Sequence, residues 1–433
     1  MLERRHWAKE AHFDKPHESP AEPPFMKLLF VHQHLGAQGG AEANIQLSAR
    51  ELQNRGHEIA LLHGSGTGKS EDEWRRTFTE RFDLAERAGS GKAHEAVRHF
   101  QPELIYVHNL DDLEVMEVLL DSGLPIVRMV HDHGMYCMRG YKYNYFTRVP
   151  CSRPASFYCV FPCLAFVARD RSGRLPVKWV SYAKKRKEIK LNQRCQRLVV
   201  YSQYVKEELL RNGFDAQRIE IHVPIRCWGT EAQVSSFNDR NLILFAGQIV
   251  RGKGVDVLLE ALTKVKTPFE CIVLGDGNHR EYCERLCRNL GLGGRVHFQG
   301  FVMRNELRSF YLETSVFVVS SLWPEPFGLV GPEAMRYGLP VVAFDAGGVR
   351  EWLIDGETGY LVPWMDTDLF AARIEQLLAN KELARSLGRR GLERVNHEYD
   401  AVRQIDSLEG MFRRVRYEAR ESRLNNSMAG FAE

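Results

Sequence analysis

The chain reads as an α/β protein built from two doubly wound halves of parallel sheet, joined by a linker. Three observations predict this class. Short continuous apolar runs, typical of strands buried on both faces, alternate with helical patterns. The alternation pauses over 222–240, where Pro, Gly, Ser and Asn collect, and then restarts. The 433 residues are also more than one ordinary hydrophobic core organises.

Taken in order, residues 1–25 carry Glu, Lys, His and the prolines Pro20, Pro23 and Pro24, with little to bury, and read as a disordered leader. The first half spans 26–222. It opens with a strand over 27–32, a glycine turn over 36–40 and a helix over 41–55 closed by Gly56. Further strands are expected at 58–62, 104–108, 126–131 and 197–201. After a linker over 223–240, the second half spans 241–398. A strand at 241–247 leads through the loop 248–253 into a helix over 254–265. A strand at 270–274 ends in Gly275-Asp276-Gly277, a helix covers 282–290, and strands follow at 295–298, 316–319 and 341–344. The tail, 399–433, reads as one or two charged amphipathic helices packing back on the first half. The chain has no tandem repeat and no low-complexity tract.

Composition narrows the function classes. Apolar residues make up 44% and charged residues 27%, as in soluble globular proteins. The net charge of +3 provides no general basis for nucleic-acid binding. No run approaches the roughly 18 apolar residues of a membrane helix. The first residues hold no apolar signal core, so a cytoplasmic protein is expected. Nine cysteines in so long a chain do not describe a disulfide framework. Cys195, Cys227, Cys271, Cys283 and Cys287 are scattered and read as buried thiols.

The most specific pattern is a pair of glutamates, Glu325 and Glu333, within Ser-Leu-Trp-Pro-Glu-Pro-Phe-Gly-Leu-Val-Gly-Pro-Glu-Ala-Met. Glu325 falls in a loop after an apolar run. Glu333 falls at the start of a segment, 332–337, that reads as a helix with Pro in its first turn. Gly328 and Gly331 lie between them and let backbone N–H groups face a ligand. Carboxylates that hold hydroxyls, beside N–H groups that hold phosphate, suit a polyol with an anionic tail. Each half also begins with strand, glycine loop and helix, which aims amide dipoles at anions. No complete G-x-G-x-x-G follows the first strand, against a dinucleotide oxidoreductase. Lys253 can neutralise a leaving diphosphate without proton transfer. His131 follows a strand at the end where such sheets bind ligands, within reach of a sugar hydroxyl.

Gly39-Gly40-Ala-Glu42, His131-Asp132, 247–254, Gly275-Asp276-Gly277, the E-x7-E block from Glu325 to Glu333, and Gly347-Gly348 with Glu351 together resemble glycosyltransferase family 4. The resemblance runs in the family's order from about 26 to about 399. It implies the GT-B fold, two Rossmann-like domains facing across a cleft, and a retaining transferase fed by a nucleotide-diphosphate sugar without a catalytic metal. It implies that Glu325 contacts the donor sugar and Glu333 the ribose, with the backbone of Phe327, Gly328, Leu329 and Val330 on sugar and phosphate. Lys253 and Gly40 would meet the diphosphate, His131 the sugar, and Gly275 the base. Two positions depart from the pattern. Gln248 stands where the family carries Arg, with Arg251 as the available substitute, and His222-Val-Pro-Ile stands where Asn-Gly is usual. The acceptor expected is a glycan or a lipid-linked sugar in surface polysaccharide or glycolipid assembly. A glycoside phosphorylase on the same fold and a non-catalytic sugar-binding protein are the alternatives.

Two features lie outside that pattern. Cys137, Cys151, Cys159 and Cys163 cluster in a stretch rich in Tyr, Phe and Arg. Four thiolates can hold a structural zinc, and four buried or free thiols are the other reading. Residues 169–197 hold eleven Lys or Arg against Asp170 and Glu188. With Trp179 and Tyr182 beside them, they suit a peripheral contact with the inner membrane face, or simply a solvated charged face.

Overall fold

The computed structural model describes residues 25–36, 39–85, 89–169, 177–224, 233–237 and 240–429. Apart from Phe25, the expected leader lies outside them, as do Cys227 and much of the linker. The first half is a seven-stranded sheet. Its strands are β1 (Lys27–His32), β2 (Glu58–His63), β3 (Glu80–Asp83), β4 (Leu104–Val107), β5 (Ile126–Met129), β8 (Arg197–Val200) and β9 (Ile219–Ile221). A separate antiparallel hairpin, β6 (Val167–Arg169) and β7 (Val177–Trp179), is inserted between β5 and β8. The sheet order is β3-β2-β1-β4-β5-β8-β9, and every pair in it is parallel.

The second half is a six-stranded parallel sheet of β10 (Leu242–Ala246), β11 (Glu270–Leu274), β12 (Val296–Gly300), β13 (Val316–Val319), β14 (Val341–Phe344) and β15 (Gly359–Val362). Its order is β12-β11-β10-β13-β14-β15. β4, β5, β10, β13 and β14 are buried at every residue. That is why they read as unbroken apolar runs: helices cover both faces of each sheet. Sequence reading passed over β3, β9 and β15, each three or four residues long, as well as the hairpin strands β6 and β7. β3 and β9 carry charged side chains at sheet edges, and β15 begins at a glycine.

One boundary differs from expectation near the glutamate pair, while the tail takes the simpler of its two expected forms. The helix expected over 332–337 runs Val330–Met335, so Pro332 and Glu333 lie inside its first turns. The tail is one helix, Ala401–Ala429. That helix lies across the first half. Phe412 meets Tyr106 edge-on at 5.0 Å, Arg55 reaches Asp406 at 2.6 Å and Glu409 at 2.8 Å, and Arg416 reaches Glu103 at 3.2 Å. Partial burial would raise the Glu409 carboxyl, but Arg55, Arg413 and His57 outweigh it and hold it at about 2. The chain thus ends against the half in which it started.

Candidate functional site

In doubly wound sheets ligands bind beyond the carboxyl ends of the strands, where strand order reverses. The reversal falls between β1 and β4 in one sheet and between β10 and β13 in the other. Loops from both halves enclose a cavity of about 730 Å³. Gly40, His131, Gln248, Lys253, Gly275, Glu325, Phe327, Gly328, Leu329, Val330 and Glu333 all line it. Eleven positions chosen from separate parts of the sequence therefore meet at one place.

Glu325 is the best-defined of them. Its backbone is clamped by the loop after β14: its N–H donates to the carbonyl of Ala346 at 3.1 Å, and Gly348 N–H donates to its carbonyl at 2.7 Å. Gly347 between them has φ +64°, and a Cβ there would sit 2.6 Å from the Glu325 carbonyl oxygen. Only glycine relieves both constraints. The Glu325 side chain is 5% exposed. Its Oε1 accepts from Lys253 Nζ at 2.6 Å, from Trp323 Nε1 at 3.1 Å and from the Ser321 hydroxyl. Burial alone would raise this carboxyl. Lys253, then Ser321 and Trp323, outweigh that and hold it below the usual carboxylate range.

Lys253 ends a short 3-10 turn, Arg251–Lys253, at the carboxyl side of β10. The turn is held by Leu322 N–H on the Gly252 carbonyl, 2.8 Å, and by Ser320 Oγ on the Lys253 carbonyl, 2.9 Å. Gly275 ends β11 with φ +126°, and a Cβ there would fall 1.9 Å from the carbonyl oxygen of Gly247. The two glycine loops approach backbone to backbone, and that contact shapes the cavity floor.

Across the cleft, Gly40 begins the helix Gly40–Asn54, and Glu42 caps it by accepting from Gly39 N–H at 2.8 Å. His131 lies beyond β5, 8% exposed. Both its ring nitrogens are engaged: Nε2 pairs with His108 Nδ1 at 2.9 Å and Nδ1 with the Tyr201 hydroxyl at 2.9 Å. A ligand hydroxyl reaches a His131 nitrogen only by displacing one of them. Burial, with His32 nearby, lowers His131 to about 3, so the ring is neutral at ordinary pH.

Arg251 is placed elsewhere. Its guanidinium stacks on Tyr145 at 4.8 Å and donates to the Tyr145 carbonyl at 2.8 Å, in a neighbouring cavity of about 570 Å³. Tyr141, Tyr143, Tyr145 and Arg139 line the same cavity, and Gln248, Val250, Asn278 and Trp323 are shared by both. Arg148 carries this loop onto the second half through Asp256, 2.5 Å away. Burial would raise Asp256, but His279 and Arg148 together lower it.

Sequence reading missed Lys69, Tyr201, Trp323, Phe301 and Tyr311, which complete the 730 Å³ cavity. Trp323 had a signal, standing two residues before Glu325. Tyr201 had one as well, at the carboxyl end of β8. Lys69, over the Phe301 ring at 5.7 Å, is a loop lysine with no local pattern.

The four clustered cysteines line a third, small cavity. As placed, no group of three or more His, Cys, Asp or Glu among the described residues stands ready to hold a metal ion. The basic stretch is partly neutralised: Lys187 pairs with Glu117 at 2.9 Å, Arg194 with Asp121 at 2.7 Å, and Arg197 with Glu220 and Glu418 at 3.2 and 2.8 Å. Among the described residues no helix is long and apolar enough to cross a membrane.

Comparison with known proteins decides the family. The model for glycosyltransferase family 4 matches residues 38–222, and that for glycosyl transferases group 1 matches 230–394. The chain belongs to glycosyltransferase family 4. Its two matched segments are the two halves of the GT-B fold. The family 4 chain is 35% identical over 162 residues to the lipopolysaccharide core biosynthesis glycosyltransferase LpsE of Rhizobium meliloti, covering 37% of this chain and 46% of that protein. It is 30% identical over 159 residues to a GDP-mannose-dependent phosphatidylinositol monomannoside mannosyltransferase of Mycolicibacterium smegmatis, covering 35% and 42%. Each match thus spans less than half of the relative's length. Among solved structures, Anabaena HepE in complex with UDP and glucose superposes with a TM-score of 0.67 at 19% identity, covering 89% of this chain and 99% of that one. Sucrose-phosphate synthase of Thermosynechococcus elongatus gives 0.67 at 18% identity, covering 90% and 99%.

Proposed function

We propose that this family 4 chain moves a sugar, with retention at its anomeric carbon, from a nucleotide-diphosphate sugar to a hydroxyl of a glycan or lipid-linked acceptor. The observation that carries this reading is the Glu325–Lys253 pair set between glycine loops in a cavity lined by both halves. Three donors converge on Glu325 Oε1, which makes it a poor nucleophile and leaves Oε2 to accept from a donor-sugar hydroxyl. Lys253 donates one N–H to Glu325 and keeps others for the departing diphosphate. Gly40 faces the same diphosphate, Gly275 the base and Glu333 the ribose. The backbone of 327–330 takes the sugar and phosphate.

The step then runs on one face of the sugar. The bond from the anomeric carbon to the diphosphate oxygen breaks, that oxygen accepts the acceptor hydroxyl's proton, and the new glycosidic bond forms where the old one was. The protein supplies orientation and electrostatic stabilisation. Neutral His131, locked between His108 and Tyr201, gives the sugar a rigid wall with no competing charge. The tyrosine-lined cavity beside it takes the acceptor, since aromatic faces suit sugar rings.

The acceptor edge also carries Phe146, Phe157, Phe161 and Trp179, each more than 60% exposed, and the basic helix Tyr182–Asn192 follows Trp179 in the sequence. We assign this edge to contact with an anionic membrane face, where aromatic rings and lysines are favoured together. Co-sedimentation with vesicles containing anionic lipid, but not with neutral ones, is the expected result; equal recovery with both refutes that contact. Calorimetric titration with uridine-, guanosine- and adenosine-diphosphate sugars tests the donor reading. Saturable binding of at least one, with release of its diphosphate on adding acceptor, is expected, and binding of none overturns it.

A further inference from the structure

We propose that Cys137, Cys151, Cys159 and Cys163 form a tetrathiolate zinc site that braces the acceptor-side loop. The four residues come from three turns separated by 13, 7 and 3 residues, yet all four line one cavity of about 20 Å³. That is room for an ion rather than for a ligand or a cluster of waters. None of the four is in a disulfide.

Each sulfur is presented by a backbone turn that is already formed. Cys137 opens a tight turn in which Gly140 N–H donates to its carbonyl at 3.0 Å, with Gly140 at φ +78°. Cys151 closes a short loop through its N–H on the Lys142 carbonyl, 2.8 Å. Cys159 ends the 3-10 turn Phe157–Cys159, and its carbonyl accepts from Ala165 N–H at 2.8 Å. Cys163 N–H donates to the Tyr158 carbonyl at 3.1 Å. Met135, Tyr136, Met138, Tyr143, Ala155 and Ala165 are buried, but the stretch 132–166 holds no α-helix and no regular strand. Such a loop has no helix or sheet ladder of its own to fix its shape, and there a metal contributes fold stability directly.

Charge points the same way. Zinc with four thiolates is a doubly negative centre. The cavity wall supplies Arg139, Lys142 and Arg153. Arg139 donates to the Cys163 carbonyl at 2.5 Å, and Lys142 to the Arg153 carbonyl at 2.6 Å and to Glu208 at 2.7 Å. Lys142 is balanced by Glu208, but no carboxylate lines the cavity beside Arg139 and Arg153; around a zinc tetrathiolate these cations are the expected outer partners. The sulfurs frame the cavity without yet converging on a common point. Binding therefore turns the four side chains inward, with four thiol protons released to solvent as four Zn–S bonds form.

The consequence is positional. Tyr141, Tyr143 and Tyr145 lie between Cys137 and Cys151, and they line the 570 Å³ cavity beside the donor pocket. The metal would fix the base of the loop that displays them. The proposal stands on the sulfurs and does not depend on the transfer reading.

The test is metal analysis of the full chain purified without chelator, together with zinc release by an organomercurial followed with a chromogenic chelator. About one zinc per chain, released as four thiols react, is expected. The double variant Cys159→Ser/Cys163→Ser should hold less than about a tenth of that, while Cys283→Ser, altered in a buried thiol of the other half, keeps it. Cobalt substitution should give the thiolate charge-transfer and visible bands of a tetrahedral site. Less than about a tenth of a zinc in the wild-type chain even after reconstitution under reducing conditions overturns the proposal. So does a mass four hydrogens lower, which marks two disulfides. Should the double variant fail to fold, stoichiometry and mercurial release on the wild-type chain decide alone.

Discussion

The two halves solve the same problem with different materials. The second half is regular: its six strands run parallel, and its site residues sit on turns fixed by backbone contacts between glycine loops, such as Gly275 against Gly247 and Gly347 against Glu325. The first half has the same sheet but spends 132–166 on an insertion held by side chains: Lys142 to Glu208, Arg148 to Asp256, His133 to the Pro324 carbonyl at 2.8 Å. Under the proposed function, the difference separates a part of the site suited to one kind of ligand from a part suited to many. Backbone geometry suits a diphosphate, whose shape is constant. Side chains on an irregular loop suit an acceptor, whose shape is not.

If that contrast holds, the largest effect comes from the second half's ion pair. Lys253→Ala leaves Glu325 buried and uncompensated. It should lower stability by about 3 kcal/mol and cut transfer on the order of 1000-fold, read by chemical denaturation and initial rates. Gly275→Ala comes next. A Cβ there meets backbone, so the loops must part; we expect about 2 kcal/mol of lost stability and at least roughly tenfold weaker donor binding by calorimetry. A small effect would mean that the floor is soft and the contrast overdrawn.

The third prediction concerns pH. Burial foremost lowers His32, His108, His131 and His133. Each holds its proton less well folded than unfolded. Below the ordinary value of 6.5 the unfolded state therefore binds more protons, and stability falls as pH drops. Above 6.5 this contribution is at its full value. Urea midpoints should be flat from pH 7 to 8 and should fall steadily from about 6.5 toward 5. An unchanged midpoint at pH 5 contradicts the neutral histidine cluster. The smallest expected effect lies in the first half. Tyr145→Ala should raise the acceptor KM about tenfold and leave donor affinity unchanged, a split that a purely structural role would not produce.

Sequence alone made the regular parts plain. β1, β4, β5, β10, β13 and β14 are apolar at nearly every residue because both faces are covered, and the glycine loops and the two glutamates are local patterns. β3, β9 and β15 escaped because a short edge strand carries too little apolar pattern to register. Part of the cavity lining was legible for the same reason: Phe327, Gly328, Leu329, Val330 and Glu333 lie within eight residues of Glu325. Gln248 was also legible as a position of interest, but not where Arg251 would go. Its engagement with Tyr145 depends on a contact 106 residues away in sequence. Lys69 and the His108–His131–Tyr201 chain are likewise products of tertiary approach, with no short-range spacing to announce them.

The central claim is that Glu333 and Glu325 divide one donor between ribose and sugar. Calorimetric titration of the wild-type chain and of Glu333→Ala with the nucleotide-diphosphate sugar that binds tests it most directly. The account predicts that the variant folds with an unchanged thermal midpoint, since Glu333 is only partly buried, and loses at least about 2 kcal/mol of donor binding, roughly thirtyfold in Kd. Equal affinity in the two proteins would contradict it.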